Sequence, residues 1–335
     1  MIHLNLKTAH SKCRYDNPDI FSGPLKKHCR EFILQKQALG LKYLTETGLL
    51  GAFDRYLHDN DAPENALQKE DVVAFAAKRQ GESDRSFINR GTILRQFGEY
   101  MGRMGYASYV LPYYEKHISS FVPYIYTNDE IAQIFSELDS TPFSARSKYA
   151  HKVYPMLFRV LYGCGLRISE ALGLKIRDVD LSNGILCLKN TKRNSERLVP
   201  MSGSLLAECR NYYNEMHSTG RFEYFFPSKT GGKVSDAAVH QELKRVLRLC
   251  GITEKARVHD FRHTFSVHLL NSWAQKGLDI YVCLPLLCKY LGHSQIRSTE
   301  DYLRLTAEVY PEVTKTFEAR FGGIIPEVKT FEKVV

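Results

Sequence analysis

The chain has 335 residues, of which 44% are hydrophobic and 25% charged, a balance typical of a globular protein with about two domains. It contains no apolar run near the ~18 residues of a membrane span and no secretory signal at its N-terminus, so we expect a cytoplasmic protein without a membrane partner. The net charge of +9 favours a polyanionic partner, whereas eight scattered cysteines without a Cys-x-x-Cys pair argue against disulfides and a zinc site.

The N-terminal third is predicted to be an all-helical domain preceded by an irregular segment. Residues 1–22 carry no periodic apolar pattern. Residues 23–120 contain four stretches with the spacing of amphipathic helices: LKKHCREFILQKQALG, LTETGLLGAFDRYLHDN, EDVVAFAAKRQ and RSFINRGTILRQFGEYMGRMG. Pro112 and Pro123 bracket the expected linker to the rest of the chain.

The fourth of these helices is rich in arginine. Arg85, Arg90, Arg95 and Arg103 stand between apolar residues, so part of this helix is a candidate to contact a phosphate backbone. Arg85 and Arg103 have the alternative interpretation of charges that are only solvated. The predicted contact makes this domain a contributor to salt-dependent binding of nucleic acid.

The C-terminal two thirds are predicted to be mainly α-helical with a small antiparallel β-sheet, over residues 124–321, followed by a tail of residues 322–335. Thr127-x-x-Glu130 is a capping box that opens one helix, and YPMLFRVLYGCG is a buried helix that ends at glycine. ILCLK and ERLVPM are short strands on either side of the turn NTKRNS. The helical pattern returns in SDAAVHQELKRVLRLCG, DFRHTFSVHLL, PLLCKYLG and STEDYLRLTAEVY.

Six residues in this second region carry groups suited to one reaction. Alone, each has an ordinary interpretation: an arginine at a loop–helix junction, a histidine at a helix end, or one tyrosine among 20. Together, two guanidiniums can hold the non-bridging oxygens of a phosphate, a lysine or histidine can protonate a leaving oxygen, and a phenol can attack phosphorus. In chain order the six are Arg167, Lys192, His259, Arg262, His293 and Tyr302.

The segments around these residues, YGCGLRISEALGL, HDFRHTFSVHLL and LGHSQIRSTEDYL, resemble those of the tyrosine recombinase family, which includes phage integrases and Xer-type recombinases. The resemblance covers roughly residues 125 to 310. It implies a helical core-binding domain and a catalytic integrase-type domain, which close as a clamp around duplex DNA. It further implies that Tyr302 attacks a DNA phosphate and forms a 3′-phosphotyrosyl link.

The same resemblance assigns roles to the rest of the set. Arg167, Arg262 and His293 would stabilise the phosphorane-like transition state. Lys192 would protonate the leaving 5′ oxygen, and His259 would assist proton transfer at the tyrosine. No cofactor or metal is implied. The expected assembly is a homotetramer on two double-stranded DNA recombination sites, where accessory or partner recombinases can also act.

Two departures from the family pattern leave alternatives open. The glycines that commonly flank the hairpin lysine are replaced by Thr191 and Arg193, so Lys189 remains the alternative to Lys192. The segment that precedes LGHSQ is several residues longer than in Xer-type members, and its wording is closer to recombinases of transposon-like mobile elements. Integration or excision of a mobile element is therefore the expected role.

Three further residues near the motifs have secondary interpretations. Glu170 is expected to orient Arg167 rather than to take part in the chemistry. His263 and His268 have no role in the family pattern and are interpreted as structural.

The segment beyond the tyrosine carries an apolar stripe. Val309, Val313, Phe317 and Phe321 recur every four residues, which predicts a helix with one apolar face that starts or breaks near Pro311. This face packs either on its own catalytic domain or, as the resemblance implies, on a neighbouring protomer.

Two other functions compete with recombination. A type IB topoisomerase uses similar residues but only relaxes DNA, and the compact integrase-like motifs argue against it. A non-catalytic DNA-binding relative that helps a partner recombinase to assemble would have no reason to retain the complete set of reactive groups.

Overall fold

The computed structural model describes residues 20–114, 122–189, 196–218, 220–253, 255–293 and 295–310. Within these ranges the chain is mainly helical with a small antiparallel sheet, which confirms the predicted fold class. The chain separates into two compact units, Met1–Ser120 and Phe121–Val335. No helix in the described ranges is long and apolar enough to cross a membrane.

Helices form the whole regular structure described in the first unit. Their bounds are α1 Lys26–Ala38, α2 Leu44–Asp59, α3 Lys69–Ala76 and α4 Asp84–Arg103. Each lies where the apolar spacing predicts a helix, although α3 ends well before Gly81, the expected stop. Their apolar faces meet in a core around Phe32, Phe53 and Phe97, whose side chains are fully buried.

The second unit is also built mostly from helices. Their bounds are α5 Asn128–Asp139, α6 Ala150–Gly163, α7 Ile168–Gly173, α8 Gly203–His217, α9 Asp236–Leu249, α10 Asp260–Gln275, α11 Ile280–Leu291 and α12 Arg297–Val309. The predicted capping box is present, because Thr127 N donates to Glu130 at 2.8 Å and Glu130 N donates to Thr127 at 3.1 Å. Helix α8 was not predicted.

A three-stranded antiparallel sheet lies between α7 and α8 in sequence. Its strands, in the order β1–β2–β3, are β1 Val179–Asp180, β2 Ile185–Leu188 and β3 Arg197–Pro200. Strands β2 and β3 were predicted, and β1 was not. Leu186 pairs with Val199, and Leu188 pairs with Arg197. Because Val199 is buried and side chains alternate along a strand, Arg197 lies on the inner face of the sheet.

The described residues of the second unit form two apolar cores. The larger surrounds α5, α6, α8, α9 and the sheet, with Phe158, Phe225 and Phe226 fully buried. The smaller packs α10 against α11 and α12, and it contains Leu270, Leu287 and Tyr302. Tyr302 is therefore positioned by the same packing that holds α12 on α10.

Two predicted features lie outside the described residues. One is the segment that contains Lys192, between β2 and β3. The other is the apolar stripe at Val313, Phe317 and Phe321. Its first member, Val309, ends α12 and is 42% exposed.

Candidate active site

The C-terminal end of α11 gathers three arginines from separate parts of the second unit. The carbonyl oxygens of residues 290–292 are successive acceptors, and each accepts from a different guanidinium. Arg197 Nε lies 2.9 Å from the first, Arg262 Nη2 lies 2.6 Å from the second, and Arg167 Nη2 lies 3.2 Å from the third. Carbonyls at a helix end lack intrahelical partners and carry the negative end of the macrodipole. The end of α11 therefore holds the three cations together.

Arg167 stands at the start of α7, after a turn that requires glycine. Gly165 has a φ of +56°, and a Cβ there would lie 2.4 Å from the ring of Phe265. The backbone N–H of Arg167 donates to Glu170 Oε2 at 2.9 Å, and Nη1 donates to Glu170 Oε1 at 2.8 Å. These contacts confirm that Glu170 orients Arg167.

Glu170 is shared between Arg167 and Arg197. Arg197 Nη1 and Nη2 donate to its two carboxylate oxygens at 2.9 and 2.8 Å, as a fork. Burial alone would raise the pKa of Glu170, but the hydrogen bonds from Arg197 and Arg167 outweigh it and lower that pKa to about 2. Arg197 was missed as a site residue. The signal that could have found it is the alternation of side chains in ERLVPM, which puts it on the inner face with Val199.

Arg262 is the most enclosed of the three arginines, with 1% of its surface exposed. Nη1 donates to the carbonyl of Gly165 at 2.7 Å, and Nη2 donates to Leu291 and also to His293 Nε2, which is 2.9 Å away. Burial and then the charge of Arg167 lower the pKa of Arg262 to about 10. Within the described residues, no hydrogen bond or ion pair joins Arg262 to a carboxylate. Its direct partners are neutral acceptors, and the carboxylate of Glu170 acts on it only at a distance.

His293 follows α11 and connects Arg262 to α12. Its Nε2 lies 2.9 Å from Arg262 Nη2, and its Nδ1 lies 2.9 Å from Thr299 Oγ1. Because a guanidinium only donates, Nε2 must accept, and the ring proton must be on Nδ1, where it is donated to the threonine hydroxyl. Burial and the charge of Arg262 lower the pKa of His293 to about 4, so the imidazole is neutral at pH 7.

Tyr302 reaches this cluster from α12. It is 3% exposed, and its ring centroid lies 6.0 Å from that of His293 and 5.5 Å from that of His263. Burial raises the pKa of Tyr302, while the charge of Arg262 and hydrogen bonds with Ser266 and Arg262 oppose that rise. The phenol therefore carries its proton at neutral pH and needs an acceptor before it can attack.

A row of three rings leads from the start of α10 to Tyr302. The ring of His259 lies 4.9 Å from that of His263, which in turn contacts Tyr302. Burial and then the charge of Arg262 lower the pKa of His259 to about 4, although more than a third of the residue is exposed. Burial and then His259 lower the pKa of His263 to about 3. Both imidazoles are neutral at pH 7 and can accept a proton.

His263 was interpreted from the sequence as structural, and the structure places it between His259 and Tyr302. Its Nδ1 is buried without a hydrogen-bond partner among the described residues. Its spacing of four residues from His259 puts both imidazoles on one face of α10, which is the sequence signal that could have drawn attention to it.

The sequence pattern of the phage integrase family matches residues 125–308, more than half of the chain, and these residues include the whole cluster. The chain belongs to the phage integrase family. The integrase/recombinase y4rB of Sinorhizobium fredii is 30% identical over 308 residues, which cover 87% of this chain and 96% of that protein. The tyrosine recombinase XerC of Oceanobacillus iheyensis is 27% identical over 251 residues, 72% and 77% of the two chains. This integrase is accordingly a tyrosine site-specific recombinase, an enzyme that breaks and rejoins DNA strands.

Solved structures of two recombinases share the fold of this integrase. One is the XerH site-specific recombinase bound to its difH substrate before cleavage, with a TM-score of 0.59 and 20% identity over 85% of this chain and 83% of that one. The other is the Tn1549 transposon integrase with a circular intermediate DNA, with a TM-score of 0.60 and 18% identity over 82% and 94%. At these identities the likeness concerns the fold alone.

The hairpin lysine of this integrase was predicted to be Lys192, with Lys189 as the alternative. Lys192 lies outside the described residues. Lys189 follows β2 directly, and its Nζ lies 3.0 Å from Oδ1 of Asp178, whose side chain is only 9% exposed. Lys189 therefore forms an ion pair at the base of the hairpin.

In the first unit, Arg90 is an interior residue, with 4% of its surface exposed. Its Nη1 and Nη2 donate to the two oxygens of Glu82, each at 2.6 Å, and Nη2 also donates to the carbonyl of Ala77 at 2.8 Å. This position corrects the prediction that Arg90 contacts DNA, because a guanidinium paired with a carboxylate inside the domain is not presented to a phosphate.

The other three arginines of α4 lie nearer the surface. Arg95 pairs with Glu99, and its guanidinium carbon lies 4.3 Å from the ring centroid of Tyr113. Arg85 and Arg103, at the two ends of the helix, are exposed. Of the four predicted DNA contacts, these two have the most open side chains.

Proposed function

We propose that this integrase cuts a DNA strand by attack of Tyr302 on a phosphodiester, with a covalent 3′-phosphotyrosyl link as the intermediate. The bond between the tyrosine oxygen and phosphorus forms, and the bond between phosphorus and the 5′ oxygen breaks. The phenol loses its proton, and the 5′ oxygen gains one. The reverse step with a different 5′ hydroxyl rejoins the strands, so the energy of the broken bond is conserved.

The balance of charge around Tyr302 carries this proposal. Arg167, Arg197 and Arg262 supply three positive charges, and the carboxylate bonded to two of them, Glu170, supplies one negative charge, so the sum is 3 − 1 = +2. A phosphodiester brings one negative charge, and attack by an oxyanion adds a second in the transition state. A preorganised site with two surplus positive charges stabilises that state more than the bound substrate.

Arg167, Arg262 and His293 are proposed to bind the non-bridging oxygens of the phosphate. The end of α11 holds both guanidiniums in place. His293 Nε2 now accepts from Arg262, so this nitrogen can donate to a phosphate only after the DNA takes over that hydrogen bond. Binding of DNA is therefore expected to move the imidazole proton from Nδ1 to Nε2.

His259 is proposed to assist removal of the phenol proton. Its imidazole is neutral at pH 7, as a proton acceptor must be. Both His259 and Tyr302 are in ring contact with His263, which places His259 and the phenol close together in the same cluster.

Lys192 is proposed to protonate the leaving 5′ oxygen. The ion pair of Lys189 with Asp178 favours Lys192 over Lys189 in this role. An ammonium held by a carboxylate of the protein has to leave that ion pair before it can reach the DNA.

The biological role we propose is integration or excision of a mobile element, by a homotetramer that joins two duplex recombination sites in the cytoplasm. Two similarities support it: y4rB is named an integrase/recombinase, and a fold neighbour is the integrase of transposon Tn1549.

A covalent selection from DNA of random sequence tests the nucleophile. Tagged protein is incubated with nicked duplexes that have a randomised core, and DNA that survives a denaturing wash is amplified. We expect the wild type to enrich a defined sequence and Tyr302→Phe to capture none, because only the attacking oxygen is lost. Tyr310→Phe, which removes a hydroxyl just after α12, is the matched control and should capture DNA. Capture by Tyr302→Phe would disprove the assignment.

The selected sequence also separates recombination from relaxation. A supercoiled plasmid with two copies of the site should yield two circles or an inverted segment. Relaxed circles alone would indicate topoisomerase activity instead. Specific binding of the site without any covalent adduct would indicate a non-catalytic relative.

A further inference from the structure

We propose that Arg197 is a positioning residue for strand cleavage, which holds Arg167 and the turn at His293 in the geometry that the reaction needs. The inference rests on the function proposed above and adds a side chain that has no need to contact the DNA. Arg197 is the first residue of β3. Its contacts with Glu170 and with the end of α11 therefore connect the sheet to the groups that bind the other two arginines.

Each nitrogen of the Arg197 side chain donates to an acceptor inside the protein. Nε donates to the carbonyl of Tyr290 at 2.9 Å, and Nη1 and Nη2 donate to the two oxygens of Glu170 at 2.9 and 2.8 Å. Only 11% of the Arg197 side chain is exposed, compared with 24% of the Arg167 side chain. Arg197 is therefore engaged by internal contacts, whereas Arg167 is more open to an incoming phosphate.

Arg197 acts on Arg167 through Glu170. The oxygen Oε1 of Glu170 accepts from Nη1 of both arginines, and Oε2 accepts from Arg197 Nη2 and from the backbone N–H of Arg167. The fork from Arg197 thus fixes both oxygens to which Arg167 is bonded. Without that fork, the carboxylate can rotate, and the guanidinium of Arg167 can rotate with it.

Arg197 acts on His293 through the last turn of α11. Its Nε binds the carbonyl of Tyr290, and its guanidinium lies against Gly292, where a Cβ would be 2.9 Å from Nη1. Gly292 has a φ of +67°, the left-handed conformation with which many helices end. His293 follows directly, so the support that Arg197 gives to this turn sets the position of the imidazole.

The two substitutions Arg197→Gln and Arg197→Lys test this role. Glutamine removes the charge and the fork, and lysine keeps the charge without the fork. The probe is the nicked duplex recovered by the covalent selection. In single-turnover reactions we expect both variants to form the adduct about 10- to 100-fold more slowly, with a dissociation constant for the same duplex within about threefold of wild type, as the removal of an orienting hydrogen bond predicts.

Arg245 provides a matched control in the same unit. It also lies between two carboxylates, with Glu242 at 2.8 Å and Glu137 at 3.3 Å, but it links α9 to α5. Arg245→Gln should leave the adduct rate unchanged. Glu170→Gln combined with Arg197→Gln should lose less than the sum of the two single losses, because part of each loss comes from the contact that the two side chains share. Fully additive losses would overturn the route through Glu170.

Hydrogen exchange supplies a readout that needs no DNA. The N–H groups of Gly292 and His293 donate to the carbonyls of Lys289 and Cys288 at 3.1 and 3.0 Å. We expect these two N–H groups to exchange faster in both Arg197 variants than in wild type and Arg245→Gln. If Arg197→Gln fails to fold, Arg197→Lys carries both measurements.

The outcomes separate this inference from the proposed function. Wild-type adduct rates in both Arg197 variants would overturn the positioning role and leave the proposed function intact, as would parallel losses of rate and DNA affinity. If the wild type forms no adduct, the proposed function fails. The role of Arg197 in cleavage then fails with it, and exchange only shows whether Arg197 supports the turn at His293. Unchanged exchange in the Arg197 variants would overturn that support as well.

Discussion

Each unit of this integrase buries an arginine, and the surroundings of the two side chains differ in charge. Arg90, in the first unit, is 4% exposed and bonded to both oxygens of Glu82. Arg262, in the second, is 1% exposed and donates to two carbonyls and a histidine. Two more guanidiniums lie near it. Burial is the larger cause of the lowered pKa of Arg262, which is about 10, and the charge of Arg167 is the second cause.

The difference distinguishes a structural arginine from one that serves a reaction. A buried charge is stable when a carboxylate and hydrogen bonds compensate it, and this is the case for Arg90. The cluster around Arg262 carries surplus positive charge, which an anion can neutralise. Uncompensated buried charge is therefore the property that marks the candidate site, and burial by itself is not.

The strongest test of this comparison is the effect of the two arginines on cleavage. Arg262→Gln should reduce the single-turnover rate of adduct formation by at least ~10²-fold, the scale of losing one preorganised donor. Arg262→Lys should recover little, because an ammonium cannot make the same fork. Arg90→Gln should cleave at the wild-type rate in the cold, where the protein stays folded. Equal losses in Arg90→Gln and Arg262→Gln would break the comparison.

The same two substitutions should affect the melting temperature in the reverse order, with the larger loss in Arg90→Gln. Arg90→Gln leaves Glu82, whose side chain is 12% exposed, without its partner, so we expect the melting temperature to fall by about 5 °C or more. The double variant Arg90→Met with Glu82→Leu should recover most of that loss, because neither charge is then left alone. Arg262→Gln should lower the melting temperature less than Arg90→Gln, since it also relieves repulsion from Arg167. Scanning calorimetry measures all three.

The histidines near Arg262 predict a dependence of stability on pH. The folded pKa of His293 is about 4, against 6.5 for the free side chain, so the unfolded chain binds more protons between these values. The free energy of unfolding should therefore fall as pH drops from 6.5 to 4, by up to about 1.4 kcal/mol per pH unit for this residue. His293→Asn should reduce that slope, because one of the histidines with a lowered pKa is then removed. A slope in His293→Asn equal to that of wild type would contradict the lowered pKa of His293.

Salt dependence measures the smaller role proposed for the first unit. Replacing Arg85 and Arg103 with alanine should reduce the slope of log affinity against log salt by about 0.9 for each phosphate that is no longer neutralised. Arg90→Gln should leave the slope unchanged, because its guanidinium is bonded inside the domain. A slope unaffected by the double alanine variant would show that the ends of α4 do not contact the DNA backbone.

The smallest expected effect is that of a chelator. The positive charge that the reaction needs is supplied by guanidiniums, so EDTA should leave the rate of adduct formation unchanged. Among the described residues, no group of three or more His, Cys, Asp or Glu side chains is placed to hold a metal ion. Strong inhibition that added magnesium reverses would assign the enzyme to another class.

Local sequence patterns determined much of this protein. Apolar spacing predicted most helices of the two units, although not α8. Period-two alternation predicted β2 and β3, and a capping box placed the start of α5. The order of Arg167, Arg262, His293 and Tyr302 with their flanking residues indicated the family and the chemistry. These features depend on residues close together in the chain, so they can be read without the fold.

Tertiary structure decided which of the remaining charges belong to the site. Arg197 and Tyr290 are 93 residues apart and meet only because β3 packs beside the end of α11. His263 looked structural until the packing of α12 on α10 placed Tyr302 against it. The sequence alone did not distinguish Arg90 from the exposed arginines of α4. In the structure its guanidinium is buried and paired with Glu82. The local sequence does not set the energy of such a side chain, because that energy depends on burial and on charges brought by distant segments.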